Sequence, residues 1–377
     1  EVQRVNRIRD PRRIPVGARI AIPRRLLRWT PVELRVANFS GPVSVVLASG
    51  MVPPQRAMVV GEGAELATGS NGFVTLTGAD GSRVSLPSHS RARVRQSRRY
   101  LINDAATLEF EVLQGRADVS AAKQKPDGQF RLRTPAAVTA VRGTEFRVGY
   151  VVERDTGYSE VLEGLVAVAG SAASADVAAG YGIAAKPGSM MVKERLLPAP
   201  VAITPGKVQT EEALRFALQP VDGAQGYRVQ VARDAGFLDT IAEQVAPATE
   251  VELSGIGNGR LFMRASAIAA SGLEGHSETW SFRRQRVGVK AEGGPVADGY
   301  RFAWLAEGEG SSLYRFQLYR TDRPQTPLID NAGMTDTSIT TTGLARGVYA
   351  WRVGVTQTTA DGAAQVWTPA QKFTVSE

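Results

Sequence analysis

The side chains able to carry acid–base or nucleophilic chemistry are sparse. The chain of 377 residues holds two histidines, His89 and His276, and no cysteine. A Ser-His-Asp relay would have to recruit one of those imidazoles. Neither sits in a nucleophile turn or a metal-ligand motif, so each reads as a surface or turn residue. Without cysteine there are no disulfides, thiolate metal sites or Cys nucleophiles. Asp80-Gly81, Asp222-Gly223 and Asp361-Gly362 are turn signals, and no D-x-D-x-D-G calcium loop occurs. No Gly-rich phosphate loop precedes a predicted helix. A carboxylate pair assembled from distant positions would suit a glycan hydrolase, but no sequence feature singles one out. The expectation is a protein without catalytic residues, metal or cofactor.

Arginine is the distinctive residue. Residues 1–100 hold 17 Arg, no Lys and six acidic residues, a local net charge of +11, whereas residues 101–377 carry 28 basic and 31 acidic residues. A basic front suits an anionic partner: a polyanion, an acidic membrane surface or an acidic envelope polymer. Strand alternation puts Arg91, Arg93 and Arg95 on one face, about 7 Å apart, with Arg98 and Arg99 following. Such a row can grip phosphates or carboxylates, or a partner protein, through paired hydrogen bonds. The alternative is a solvated sheet face whose arginines pair with nearby Glu. Tyr100 is the only adjacent aromatic, which argues against a nucleic-acid platform.

The elements that must position these residues are strands. Short alternating runs of Val, Thr, Ile and aromatics are punctuated by Gly, Asp, Asn and Pro. Gly41, Gly115 and Gly164 each precede an alternating strand, as where a chain turns sharply into a sheet. Residues 73–77 and 83–86 read as a hairpin around Asp80-Gly81. Thr134–Val148 reads as an extended run, a turn at Arg142-Gly143 and a strand. There Phe146 alternates with Thr144 and Val148 toward a core. Arg142 either locks that corner by donating to carbonyls or, with Glu145, forms an exposed recognition turn. The longest uncharged window, 36–55, contains Gly and Pro and cannot be a membrane span.

Residues 1–28 predict a short helix with Val2, Val5 and Ile8 on one face, a break at Asp10-Pro11, and a strand over 19–23. The pattern N-x-I-x-D-P-x-x-I-P-x-G-x-x-I-x-I-P resembles the second half of a LysM module, a family that binds N-acetylglucosamine polymers such as peptidoglycan. The first half of such a unit is not in the chain. The resemblance implies a glycan-groove wall at Asn6, Ile8, Arg9 and Asp10. The runs LTGADGSRVSL, LQGRADV, TPAAVTAVRGTEFRV and VLEGLVAV occur in the order found in FecR domains, so that residues 40–193 resemble that family. The motif residues Arg142, Gly143, Thr144 and Phe146 are then expected to be structural. The named member of that family senses iron–siderophore uptake from the periplasm and controls a sigma factor.

Residues 206–377 repeat. Tyr227-Arg228-Val229-Gln230-Val231, Gly259 and Trp280 correspond in spacing to Tyr314-Arg315-Phe316-Gln317-Leu318, Gly347 and Trp367. Two β-sandwiches over 206–286 and 287–377 follow. They resemble fibronectin type III domains, and their aromatics are expected in the cores. The full layout is then an all-β protein with a short α/β LysM remnant (1–28), a connector (29–39), the FecR-like domain, a linker (194–205) and two sandwiches. The start at Glu1 without Met suggests a removed signal peptide and a periplasmic or envelope location. The expected function is non-enzymatic envelope binding and scaffolding, with attachment to peptidoglycan or another envelope polymer. The alternative is a periplasmic regulator acting on a membrane signalling protein or a sigma-factor pathway.

Overall fold

The computed structural model describes residues 1–377 except Pro126, Arg142, Asp361 and Glu377. The protein is all-β. Helical structure is confined to α1 (Val2–Val5) and single turns at Pro11–Arg13, Arg24–Leu26 and Val152–Arg154. The chain divides into two compact units.

The first unit comprises residues 1–201, 220–249 and 264–278. Its first strands are β1 (Trp29–Pro31), β2 (Leu34–Ser40), β3 (Val43–Leu47), β4 (Gly50–Val52), β5 (Val59–Val60) and β6 (Glu65–Thr68). Then come β7 (Phe73–Gly78), β8 (Arg83–Leu86), β9 (Arg91–Tyr100), β10 (Ala106–Ser120), β11 (Gln129–Arg133) and β12 (Ala137–Val141). β13 (Glu145–Val151), β14 (Thr156–Glu163), β15 (Leu165–Gly170), β16 (Ser174–Ala178), β17 (Tyr181–Ala185) and β18 (Val192–Arg195) complete the set. They form two sheets. Sheet A runs β4-β3-β6-β9-β10-β11-β12-β15-β16, with β1 beside β9. Sheet B runs β5-β2-β7-β8-β10-β13-β14-β17-β18.

The two inner faces share one core that includes Leu34, Val36, Leu66, Phe110, Phe130, Phe146, Val161 and Val166. β10 belongs to both sheets. Its first half lies in sheet A, it bends at Gly115 into sheet B, and the chain returns as β11 parallel to that first half.

The corners between sheets share a backbone signature. Gly41, Asn71, His89, Gly115, Gly143, Gly164 and Gly180 all have positive φ; Gly115 marks the bend inside β10, and each of the others separates a strand of one sheet from a strand of the other. At Gly41 an added Cβ would lie 1.9 Å from the Asn71 carbonyl oxygen, and at Gly115 2.4 Å from that of His89. These corners are closed to side chains by backbone, on top of the left-handed conformation. The recurrent Gly-then-strand pattern is therefore the mark of a sheet crossing.

Several expected boundaries differ. The connector assigned to 29–39 is β1 and most of β2, because Leu34 and Val36 are 1% and 0% exposed in the core. The linker assigned to 194–205 begins inside β18 and includes β19 (Ala202–Ile203). The strand expected at 19–23 does not form. Among the described residues no strand lies beside it to take up its peptide groups. The Asn6 side chain does so at one position, accepting from the Ala21 N–H and donating to its carbonyl, both at 2.7 Å. The helix ends before Ile8, since Arg7 has φ 54°.

After β18 the first unit includes β21 (Ala224–Ala232), β22 (Thr240–Ala246) and the adjoining parts of β24 (Gly259–Ala269) and β25 (Glu274–Arg284), in the order β22-β21-β24-β25. The second unit, 202–219, 250–263 and 279–377, begins with the sheet β19-β20-β23, in which β20 is Leu214–Leu218 and β23 Glu250–Leu253. Its larger part is a sandwich. One sheet is β26 (Val289–Val296), β27 (Gly299–Ala306) and β30 (Ser338–Thr341). The other holds β28 (Ser311–Arg320), β29 (Pro327–Met334), β31 (Gly347–Thr359), β32 (Gly362–Trp367) and β33 (Gln371–Val375). Phe302, Trp304, Phe316, Tyr349 and Trp351 fill its core. The Tyr349 hydroxyl donates to the Ala345 carbonyl at 2.5 Å, a tyrosine corner at the entry to β31. Trp280 and Trp367, expected in cores, are half-buried. Trp367 packs against Gly354, its register partner, with the Arg352 guanidinium 4.6 Å from its ring centroid. Asp361, of the predicted Asp361-Gly362 turn, lies outside the described residues.

Candidate functional site

The arginine row lies on the outer face of sheet A. Alternation along β9 buries Ala92 and Val94 and exposes Arg91, Arg93 and Arg95. Neighbouring strands place carboxylates in register with it. One row across the sheet reads Glu65, Arg93, Glu111, Arg133, Val138, Ala169, Ser174, and the next reads Glu109, Arg131, Ala140, Ala167, Asp176. Arg93 donates to Glu65 at 2.8 Å, Arg95 to Glu111 at 3.1 Å and Arg133 to Glu109 at 3.2 Å. Arg91 also lies 3.6 Å from Glu65. Arg98 pairs with Glu62, and Arg99 with Asp104 at 3.2 Å. Every member of the predicted anion-binding set thus has an intramolecular carboxylate. Arg91, Arg93, Arg95, Arg131 and Arg133 still outnumber Glu65, Glu109 and Glu111, so the face keeps a positive excess.

Of the motif residues at the β12–β13 corner, Thr144 and Phe146 are buried and Gly143 is exposed. Phe146 is 1% exposed in the shared core. The Thr144 carbonyl accepts from the Ala121 N–H at 3.0 Å. A Cβ on Gly143 would lie 3.2 Å from the Lys123 Cα. Arg142 lies outside the described residues.

In the N-terminal segment, Asn6 spends its amide on Val2 and Ala21. Asp10 caps the turn at Pro11 by accepting from the Arg12 N–H at 3.0 Å, and faces Arg13 at 3.5 Å. Of the four predicted glycan contacts, Ile8 and Arg9 remain without such a role. Arg4, Arg7, Arg9, Arg12, Arg19 and Arg28 have no side-chain partner among the described residues. His89 is a sheet corner. Burial, then Arg147 and Arg195, push His276 below its ordinary value of 6.5. No group of three His, Asp or Glu side chains is placed to hold a metal among the described residues. None of their helices is long and apolar enough to cross a membrane.

A second charged assembly was not foreseen. The outer face of sheet B is covered, within the same unit, by β21, β22 and the parts of β24 and β25 that belong to that unit. Four guanidiniums (Arg116, Arg147, Arg228, Arg264) meet four carboxylates (Asp118, Glu160, Glu243, Glu274) there. Glu274 is central. It accepts from Arg147 at 2.5 Å, Ser266 at 2.6 Å and Arg228 at 2.8 Å, and Arg116 lies 3.5 Å away. Burial alone would raise its pKa. Arg228, Arg147 and Arg116, with the Ser266 hydrogen bond, reverse that and hold the carboxyl well below the ordinary range. Glu160, fully buried, accepts from Arg116 at 2.9 Å and from the Glu274 N–H at 3.0 Å. Leu273 packs with Tyr158 and Leu196 beside it.

Sequence alone carried one usable sign of this interface. β14 is buried at every position from Thr156 to Val161; of its outward-facing residues Tyr158 and Leu162 are apolar, as on a covered strand, while Glu160 is the carboxylate that meets Arg116. The pairing of Arg147 with Glu274, 127 residues apart, has no local signature.

A protein-family model described as FecR protein matches residues 64–167, which run from the residue before β6 into β15. A search of curated proteins found no match. Among solved structures, one similar chain is a candidate anti-sigma factor from Parabacteroides distasonis, 20% identical with a TM-score of 0.30 over 35% of this chain and 59% of that one. The chain therefore spans about three-fifths of that protein's length. A two-domain fibronectin type III segment of chicken tenascin is 14% identical, with a TM-score of 0.24 over 48% of this chain and 99% of that one. The fibronectin(III)-like modules of Clostridium thermocellum CbhA are 13% identical, with a TM-score of 0.21 over 48% of this chain and 92% of theirs.

Proposed function

We propose that this protein is a non-catalytic regulator of the bacterial envelope, in which the FecR-like domain binds a signalling protein at the membrane and the sandwiches hold that domain in place. The observation that carries this reading is the FecR match, which falls on the strands of the two-sheet core. The geometry supports it. One outer face of that core is occupied by the chain's own sheet through the eight-charge cluster. The other presents charged and apolar side chains to solvent. Cross-linking of the protein in its native cells should recover a membrane receptor, sensor kinase or cyclase, or a sigma-factor regulator. Recovery of cell wall alone overturns the proposal.

A second reading, attachment to peptidoglycan through residues 1–28, draws on the six unpartnered arginines of that segment. Pelleting with purified peptidoglycan tests it. A chain that stays in the supernatant at low salt removes it.

A further inference from the structure

β15 reads Leu165-Val166-Ala167-Val168-Ala169-Gly170, without a polar side chain. A strand with one solvated face normally alternates apolar with polar residues, and an unbroken apolar run belongs to a strand covered on both faces. Here Val166 and Val168 are buried in the shared core, while Leu165, Ala167 and Ala169 are exposed, Leu165 by 55%. Register brings Val138 and Ala140 of β12 alongside them on the same outer face. The result is an apolar floor two strands wide.

The floor has charged banks. On the β11 side stand Arg131 and Arg133, which share the single carboxylate of Glu109 at 3.9 and 3.2 Å. On the β16 side stands Asp176, in register with Ala167 and without a side-chain partner among the described residues. Arg131, Ala140, Leu165, Ala167 and Asp176 line an open groove of about 310 Å³. Three strand spacings separate β11 from β16, about 14 Å. An α-helix with its side chains is roughly 10–12 Å across. A floor of alanines lets such a helix approach the sheet closely. The surplus guanidinium charge on one bank calls for carboxylates on the facing flank.

We propose that this trough is the partner site of the FecR-like domain, and that it takes an amphipathic helix with acidic residues along the flank facing Arg131 and Arg133. The inference rests on the partner-binding reading above and adds the surface and the chemistry of the ligand.

The probe is a displayed library of random 20-residue peptides, selected on the whole chain and counter-selected on an Ala167→Arg chain. Enriched sequences are expected to carry apolar residues at i, i+3, i+4 and i+7 beside Asp or Glu. A synthetic representative should bind at least tenfold more weakly to Ala167→Arg and to Leu165→Glu. The Arg131→Glu/Arg133→Glu chain should lose at least tenfold too, and with it the salt dependence of binding. Both floor positions point to solvent, so circular dichroism and melting should match the parent chain. No enrichment, equal binding to both floor variants, or polyglutamate binding as tightly as the helix overturns the proposal. If cross-linking recovers a signalling protein from Ala167→Arg cells as well as from the parent, this surface is wrong and the regulatory reading stands. Helix binding without any signalling protein recovered leaves the surface assigned and removes the regulatory reading.

Discussion

Replacing Glu274 by Gln tests the central physical claim, that the buried charge cluster fixes β21, β22 and the adjoining parts of β24 and β25 onto sheet B. The side chain is about 5% exposed and is bound by Arg147, Arg228 and Ser266, with Arg116 nearby. The amide keeps the shape and removes the charge. Arg116, Arg147 and Arg228 are then left in a desolvated site where, among the described residues, Glu160 and Glu243 are their remaining paired carboxylates, beside the Gly272 and Gly275 carbonyls. Breaking a buried pair by removing one partner costs about 3–5 kcal/mol, most of it the desolvation of the charge left behind. Native-state hydrogen exchange of β13, β14 and β25 reads that loss locally, which matters in a chain of several domains without a single two-state transition. The expected result is faster exchange in those strands by roughly two to four orders of magnitude. Arg93→Gln, on the exposed ladder, should change sheet A stability by less than about 1 kcal/mol. The double variant Arg147→Met/Glu274→Leu should cost less than the two single changes added together, because no charge of that pair is stranded. A Glu274→Gln chain within about 1 kcal/mol of the parent, or an additive double variant, would refute the reasoning.

Acid should loosen the same interface. The folded Glu274 carboxyl is held well below 4.5, so its contribution is fully present above pH 4.5 and is lost as pH falls through the folded value. Urea midpoints measured from pH 7 down to pH 3 should decline for the parent and decline less for Glu274→Gln. Gly115→Ala should destabilise the two-sheet domain by at least about 2 kcal/mol, since φ is 73° and the new methyl would meet the His89 carbonyl at 2.4 Å; thermal melting checks this, and an unchanged melt contradicts the corner argument. Asn6→Ala removes both bonds to Ala21. At about 1 kcal/mol each, trypsin should cut after Arg19 roughly 30-fold faster, and an unchanged rate would show that Asn6 does not organise that segment.

Much of the scaffold is legible locally. Alternation in β9 puts Arg91, Arg93 and Arg95 on one face. The Asp80-Gly81 turn joins β7 to β8, and Gly41, Gly115 and Gly164 mark corners. Each depends on the conformational range of one or two residues or on the two-residue period of a strand, which a chain carries wherever it folds. The same period runs through 34–38, where Leu34, Val36 and the polar Asn38 all face inward.

The site was legible only in part, and for a physical reason. Sequence determined that this is an arginine-rich all-β protein in which Phe146 faces a core and Gly164 leads into a strand. Tertiary structure decided which charges are available. It put Glu65, Glu109 and Glu111 beside the arginine ladder and Glu274 beside Arg147 across 127 residues, and it left Leu165, Ala167 and Ala169 exposed among the described residues. Whether a charge or an apolar face is free depends on what lies within a few ångströms. Those neighbours come from strands far apart in the chain, joined by register and sheet packing that no local pattern encodes.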